Sequence, residues 1–203
     1  MQKYNFGIVI TGSIGSGKST VCELLKQHGF CVIDADRINH EILNSSSKQI
    51  AEIFGDEFIK DGTVDRKKLG ALVFNDKIAL EKLENFLHPK IKEQILALAS
   101  KLEAEKKPYF VDIPLFFERQ SYEQFDKVLV VYAPQTTLIS RVMKRNLLTK
   151  EAVLARLNLQ LDIEKKRTLA NFIIDNSADL EALKVEVEKF LHKIKEIYAD
   201  IKI

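Results

Sequence analysis

Near its amino terminus the sequence reads Gly12-Ser13-Ile14-Gly15-Ser16-Gly17-Lys18-Ser19-Thr20. This stretch follows a short apolar run, residues 6–10, which is typical of a strand buried on both faces. Val21, Leu24 and Leu25 come next at helical spacing, and Gly29 fits a helix C-terminus. The sequence therefore predicts a strand, a glycine-rich loop and a helix in that order.

The stretch matches G-x-x-x-x-G-K-[ST], the phosphate-binding P-loop. Glycines let backbone N–H groups approach an oxyanion without a side chain in the way. Lys18 supplies a cation for the β- and γ-phosphates, Ser19 supplies a hydroxyl for Mg²⁺, and the positive end of the following helix points at the phosphates. The predicted nucleotide contacts are Gly12, Ser13, Ile14, Gly15, Ser16, Gly17, Lys18, Ser19 and Thr20.

The composition is that of an ordinary globular chain and excludes several classes of protein. The 203 residues suit one α/β domain, and the net charge of +2 gives no support for binding nucleic acid through bulk electrostatics. No apolar run has the length that a bilayer requires, and the amino terminus does not resemble a secretory signal. Cys22 and Cys31 are interpreted as reduced core residues. We expect a cytoplasmic location, a small-molecule partner, no membrane or nucleic-acid partner, and no obligatory protein partner.

Five short apolar segments are predicted to form a doubly wound parallel sheet, because helical patterns separate them. These strands are residues 6–11, 30–34, 109–113, 128–133 and 172–175. The interval between the second and third strands exceeds what a crossover needs, so it is predicted to hold an inserted helical lobe.

Several helices are predicted within the lobe and after the fourth strand. Asp65 is expected to cap one helix, residues 78–86 to form another, and His88-Pro89 to open a third. Thr149 is expected to cap a helix that carries Val153, Leu157 and Leu161. The final helix is predicted to bury Leu180, Leu183, Val187, Phe190, Ile194 and Ile197.

Other P-loop classes fit poorly, because the D-x-x-G and N-K-x-D elements of signalling GTPases are absent from the sequence. A small-molecule kinase needs a group that orients the acceptor hydroxyl, and Asp34 and Asp36 follow the second strand where such a group would lie. If the strand continues, both carboxylates point the same way; alternatively they cap the next helix. Asp112, at the end of the third strand, is a candidate for the Mg²⁺ shell.

Two further regions offer substrate contacts. Phe116 and Phe117 could form an aromatic wall for the substrate or could equally be core. The basic helical segment, residues 141–169, contains Arg141, Arg145 and Arg156, which could close over the γ-phosphate as a lid or could form a solvated helix face.

Taken together, these motifs resemble the dephospho-coenzyme A kinase family across nearly the whole chain. The resemblance rests on the P-loop with Thr11, on residues 32–36, on Leu87-His88-Pro89 with Ile91, on residues 114–118, and on Ile174-Asp175-Asn176. It implies transfer of phosphate from ATP to the ribose 3′-hydroxyl of dephospho-CoA, the last step of coenzyme A synthesis, with Mg²⁺ as cofactor. Another nucleoside or metabolite kinase of the same fold, or a nucleotide-dependent switch protein, would be the alternatives.

The resemblance also implies roles for particular residues. Lys18, Asp36 and Arg145 are expected to be catalytic, and Asn176 to approach the adenine. The expected substrate contacts are Asp34, Asp36, His88, Leu115, Phe116 and Arg156. Ser19 and Asp112 are the expected metal ligands. The nucleotide-binding core is assigned to residues 1–37, 107–140 and 170–203, the acceptor-binding lobe to 38–106 and the lid to 141–169. Ala178 stands where the family often has glycine, and a positive φ there would strain alanine.

Overall fold

A computed structural model describes residues 3–119 and 121–198 and confirms the doubly wound sheet. Its five strands lie in the order β2-β5-β1-β6-β7, with β1 paired in parallel to β5 and β6, and β6 to β7. The strands are β1 (Tyr4–Thr11), β2 (Val32–Asp34), β5 (Tyr109–Asp112), β6 (Phe125–Tyr132) and β7 (Phe172–Asp175). A small antiparallel hairpin, β3 (Ile59–Lys60) with β4 (Thr63–Val64), was not predicted.

Ten helices are present in the described residues, and each predicted helical region contains at least one. Their bounds are α1 Lys18–Gln27, α2 Ala35–Ser45, α3 Ser47–Phe54, α4 Arg66–Asn75, α5 Lys77–Ala104, α6 Phe116–Arg119, α7 Gln135–Asn146, α8 Lys150–Leu157, α9 Ile163–Leu169 and α10 Leu180–Ile197. The predicted caps are confirmed: the Asp65 side chain accepts from Lys68 N–H, and Thr149 accepts from Ala152 N–H.

The chain forms two compact units. The first combines Met1–Ile33 with Ala99–Ile203 and contains the large sheet. Its main core packs the central strands against α1 and α10. Because residues such as Ile8, Ile10 and Leu129 are fully buried there, the P-loop between β1 and α1 starts and ends on rigid elements.

The second unit is Asp34–Leu98 and is mainly helical. It contains α2, α3, the hairpin, α4 and most of α5. Its buried apolar residues include Ile38, Leu43, Ile50, Phe58 and Leu69.

The prediction of two helices that meet at His88-Pro89 was wrong, because α5 runs through Pro89 for 28 residues. Proline removes one backbone hydrogen bond from a helix interior. Here Leu87, Ile91 and Ile95 continue one buried stripe at a spacing of four residues on both sides of Pro89. Pro89 itself is exposed, so water can reach the backbone carbonyl that has lost its helical N–H donor. Packing of the buried stripe therefore outweighs the cost of the lost hydrogen bond.

Three smaller predictions were also wrong. Cys31 is exposed rather than part of the core, because β2 begins only at Val32; Cys22 is buried as predicted. Leu180 and Ile197 are half exposed, since they are the first and last residues of α10. Leu161 lies beyond the end of α8 at Leu157. No helix among the described residues is long and apolar enough to cross a membrane.

Candidate active site

The P-loop occupies the interval between Thr11, where β1 ends, and Lys18, where α1 begins. Ser16 N–H donates to the Ser13 carbonyl at 3.0 Å, which closes a tight turn. Gly17 has φ 90°, in the left-handed region that disfavours side chains. A Cβ at this position would also lie 2.1 Å from Asn176 Nδ2. Glycine is therefore required at residue 17 by both backbone conformation and space.

Two carboxamide side chains from distant segments hold the P-loop. Asn176 Nδ2 donates to the Ser16 carbonyl at 2.8 Å, and Gln160 Oε1 accepts from Ile14 N–H at 2.9 Å. Asn176 is buried and directly follows β7. Its contact with adenine stays a prediction. Gln160 was not singled out from the sequence, because no local pattern connects it to a loop 146 residues away.

Lys18, the first residue of α1, forms an ion pair with Asp112, the last residue of β5. Lys18 Nζ binds Asp112 Oδ1, and both side chains are largely buried. Cys22 Sγ lies 3.5 Å from Asp112 Oδ2. Burial raises the pKa of the Cys22 thiol well above its usual range, and the negative charge of Asp112 raises it further. Cys22 is thus a protonated donor to Asp112 and not a nucleophile.

A cavity of about 650 Å³ opens beside the P-loop within the first unit. One wall consists of P-loop and α1 residues, another of basic residues from α7, and a third of the segment after β7. Its lining residues are Gly15, Gly17, Thr20, Arg141, Lys144, Arg145, Asn176, Ala178, Asp179, Leu180 and Leu183. Three cations against one carboxylate make this cavity suited to an anionic ligand.

Arg141 joins two walls of that cavity. Its Nη2 donates to the Ala178 carbonyl at 3.0 Å, while its buried Nη1 has no hydrogen-bond partner among the described residues. A buried guanidinium nitrogen without an acceptor is costly unless a ligand supplies one. Ala178 is not among the described non-glycine residues with positive φ, which are Asp61, Lys106 and Leu147. The strain considered for Ala178 is therefore absent.

In the second unit, Asp34 and Asp36, the two carboxylates predicted to contact the acceptor substrate, lie in different surroundings. Asp34 ends β2, and its Oδ1 accepts from Arg37 N–H at 2.9 Å as the N-cap of α2. The strand does not continue to Asp36, so the condition for both carboxylates to point the same way is not met, and the alternative of helix capping is confirmed for Asp34. Asp36 lies in the first turn of α2 and is exposed. His88 is exposed within α5.

The remaining predicted substrate contacts lie in the first unit. Leu115 and Phe116 are partly buried after β5, where the Phe116 and Phe117 rings pack at 5.4 Å between centroids. The Pro114 carbonyl accepts from Thr11 Oγ1 at 3.0 Å, which fixes this segment beside the end of β1. Arg145 lines the cavity, whereas Arg156 is exposed on α8 and does not line it.

The parallel sheet, the P-loop and its cation-lined cavity define the class of P-loop nucleotide-binding proteins. The sequence model described as "Dephospho-CoA kinase" matches residues 6–182, so the chain belongs to the dephospho-CoA kinase family.

Relatives of known name agree with this assignment over their full length. The chain is 44% identical to a dephospho-CoA kinase of Wolinella succinogenes, covering 96% of this chain and 98% of that one. It is 46% identical to one of Sulfurimonas denitrificans, covering 98% and 99%. Among solved structures, dephospho-CoA kinase from Campylobacter jejuni is 41% identical with a TM-score of 0.76, covering 94% of this chain and 97% of that one.

Proposed function

We propose that this chain transfers the γ-phosphoryl group of ATP to the ribose 3′-hydroxyl of dephospho-CoA, which gives coenzyme A and ADP. Membership of the dephospho-CoA kinase family supports ATP-dependent phosphorylation of dephospho-CoA in coenzyme A biosynthesis. The observation that carries the proposal is a P-loop held by two side-chain hydrogen bonds beside a cavity lined by Arg141, Lys144 and Arg145. Such a site favours a ligand with several negative charges.

Lys18 and Arg145 are proposed to neutralise the charge that develops on the transferred phosphoryl group. An ammonium group has three donors, so Lys18 can remain bonded to Asp112 and still donate to a phosphate oxygen. Arg145 on α7 reaches the same cavity as the P-loop. Phosphoryl transfer requires mainly positioning and electrostatic stabilisation, which is what these cations supply.

Mg²⁺ is the proposed metal cofactor, and oxygen donors of the appropriate kind are present. Ser19 in the first turn of α1 supplies a hydroxyl, and Asp112 at the end of β5 supplies a carboxylate. Mg²⁺ usually keeps several waters and binds substrate phosphates besides one or two carboxylates. This agrees with the absence, among residues 3–119 and 121–198, of a cluster of three or more His, Cys, Asp or Glu residues that could hold a metal alone.

Asp36 is proposed to orient the acceptor hydroxyl and to accept its proton. Of the two carboxylates after β2, Asp34 is already engaged as the α2 cap, which leaves Asp36 for the substrate. The assignments of residues 38–106 to acceptor binding and 141–169 to a lid follow the same proposal. Contacts of the substrate with Asp34, His88, Leu115, Phe116 and Arg156, of Asn176 with adenine, and a cytoplasmic location stay predictions.

A substrate panel tests the proposal. ADP release is measured with dephospho-CoA, with nucleosides and with gluconate, each with and without Mg²⁺. Of the acceptors in the panel, we expect only dephospho-CoA to be phosphorylated. ADP release should stop when Mg²⁺ is chelated. Strong turnover with a nucleoside or gluconate and none with dephospho-CoA would overturn the proposal, as would slow phosphate release without any phosphorylated acceptor.

A further inference from the structure

We infer that Gln160 is a positioning residue that fixes the Ser13–Ile14 peptide of the P-loop in the orientation that nucleotide binding requires. The inference rests on the proposed function and extends it from the loop to the α8–α9 connection, residues 158–162. Gln160 would act through the loop backbone, not through contact with the reacting atoms.

The Ser13–Ile14 peptide is held at both of its polar groups. Its carbonyl, on Ser13, accepts from Ser16 N–H at 3.0 Å. Its N–H, on Ile14, donates to Gln160 Oε1 at 2.9 Å. Rotation of this peptide plane would break both bonds. The plane lies directly before Gly15, so its orientation sets the direction of the backbone amides that follow.

Gln160 itself is held in place by its neighbours. Its own N–H donates to the Leu157 carbonyl at 2.9 Å, and the next residue, Leu161, donates its N–H to Glu118 Oε1 at 2.9 Å. Lys166 on α9 is fully buried and lies 2.7 Å from the same carboxylate oxygen. The connection is thus tied to α6 independently of the P-loop.

This arrangement makes the bond from Gln160 to Ile14 a preorganising one. A side chain on a backbone that is already ordered loses less entropy when it binds the loop than one on a mobile segment. Without the bond, the loop amides would have to be aligned when the triphosphate binds, at the expense of nucleotide affinity. The acceptor substrate does not share that cost, so its KM should be insensitive to Gln160.

The test compares Gln160→Ala with the matched control Gln135→Ala. Gln135 has the same side chain and, together with Ser13 and Gln160, lines a small cavity of about 160 Å³, but no hydrogen bond joins it to the P-loop among the described residues. We expect Gln160→Ala to raise the KM for ATP about tenfold, in keeping with the loss of one hydrogen bond. The KM for dephospho-CoA should stay unchanged, and Gln135→Ala should match the wild type in both.

Hydrogen exchange supplies a readout that needs no turnover. Without nucleotide, a peptide covering residues 12–17 should exchange faster in Gln160→Ala than in the wild type or in Gln135→Ala. Gln160→Glu retains an oxygen acceptor, so it should restore the slow exchange. The negative charge of the glutamate should still weaken ATP binding. The ratio of the KM for ATP of Gln160→Glu to that of the wild type should therefore fall as ionic strength rises, because salt screens the repulsion. The ratio for Gln160→Ala should not fall.

Two results would overturn the inference: unchanged exchange and ATP affinity in Gln160→Ala, or a parallel rise of both KM values together with a lower Tm. Failure of the proposed function is distinguishable from either. If the wild type does not phosphorylate dephospho-CoA, titration of the same variants with a nonhydrolysable ATP analogue still measures the effect of Gln160 on nucleotide affinity.

Discussion

Lys18 is the residue on which the proposed chemistry depends most. Its ammonium group and the Asp112 carboxylate are both largely buried, so each stabilises the other in a place that water reaches poorly. The side chain is therefore held beside Asp112 at the start of α1 instead of extending into solvent. A lysine fixed in this way can meet the β- and γ-phosphates without first being ordered.

We expect Lys18→Ala to lower kcat on the order of 10²-fold or more, because a transition-state cation is lost. Asp112 would also lose its counterion, so the Tm should fall. Lys26→Ala is the control: Lys26 lies on the same helix, pairs with Glu23 at the surface and should leave kcat unchanged. Steady-state kinetics well below the Tm separates the two effects, and near-normal kcat in Lys18→Ala would contradict the role of Lys18.

The two carboxylates after β2 should respond differently to substitution. Asp36→Asn should lower kcat while the KM for ATP stays nearly the same, because only the acceptor hydroxyl loses its partner. Asp34→Ala should instead cost about 1 kcal/mol of unfolding free energy through loss of the α2 cap. Kinetics and urea unfolding of Asp36→Asn, Asp34→Ala and Asp34→Asn check this. Normal turnover in Asp36→Asn with reduced turnover in Asp34→Asn would transfer the catalytic role to Asp34.

At the scale of elements, the α8–α9 connection illustrates how distant helices build the site. Glu118 on α6 accepts a hydrogen bond from Leu161 N–H and forms an ion pair with the Lys166 ammonium group. Lys166 is the only fully buried charged side chain among the described residues, and its position depends on this pair. Removal of one partner from a buried pair leaves an uncompensated charge.

Lys166→Met should therefore cost about 3–5 kcal/mol of unfolding free energy, since it leaves the Glu118 carboxylate without its cation. The double variant Lys166→Met with Glu118→Gln should recover part of that loss, because the amide keeps an acceptor for Leu161 N–H and carries no charge. Urea unfolding of the wild type, of Lys166→Met, of Glu118→Gln and of the double variant gives a double-mutant cycle, which measures the coupling between the two side chains. Simple additivity of the two single effects would show that the pair is not coupled.

At the scale of the whole molecule, β1 is joined to the residue after the last helix through contacts that involve tyrosines. Glu103 accepts from Asn5 N–H and from the Tyr109 hydroxyl, and Tyr198 donates to the Asn5 carbonyl at 2.7 Å. Burial and, to a lesser extent, the negative charge of Glu103 together raise the pKa of Tyr198 to about 12. These contacts connect β1 to Tyr198, which directly follows α10.

Stability should consequently fall at alkaline pH. In the unfolded chain tyrosine ionises near pH 10, so the unfolded state releases protons that the folded state retains as pH rises from about 10 to 12. The contribution of Tyr198 is fully present below about pH 10 and is lost through that range. Tyr198→Phe should be less stable at neutral pH but should show a shallower decline. Unfolding free energies measured at several pH values test this, and an unchanged slope would contradict it.

The parts of the molecule that the sequence predicts are those set by neighbouring residues. The P-loop, the five strands and the caps at Asp65 and Thr149 follow from local patterns. The continuous α5 was missed because a local rule about proline competes with a buried stripe that only tertiary packing establishes. Gln160 was missed for a related reason, since its bond to Ile14 joins segments far apart in the chain.

The central claim is that the P-loop holds ATP while an aspartate presents a ribose hydroxyl to its γ-phosphate. The most direct test is to incubate the protein with ATP, Mg²⁺ and dephospho-CoA and to locate the new phosphate by ¹H–³¹P correlation NMR. We predict one new phosphate on the ribose 3′ oxygen, with an equal amount of ADP. ATP hydrolysis with unmodified dephospho-CoA, or a phosphate at any other position, would contradict the account.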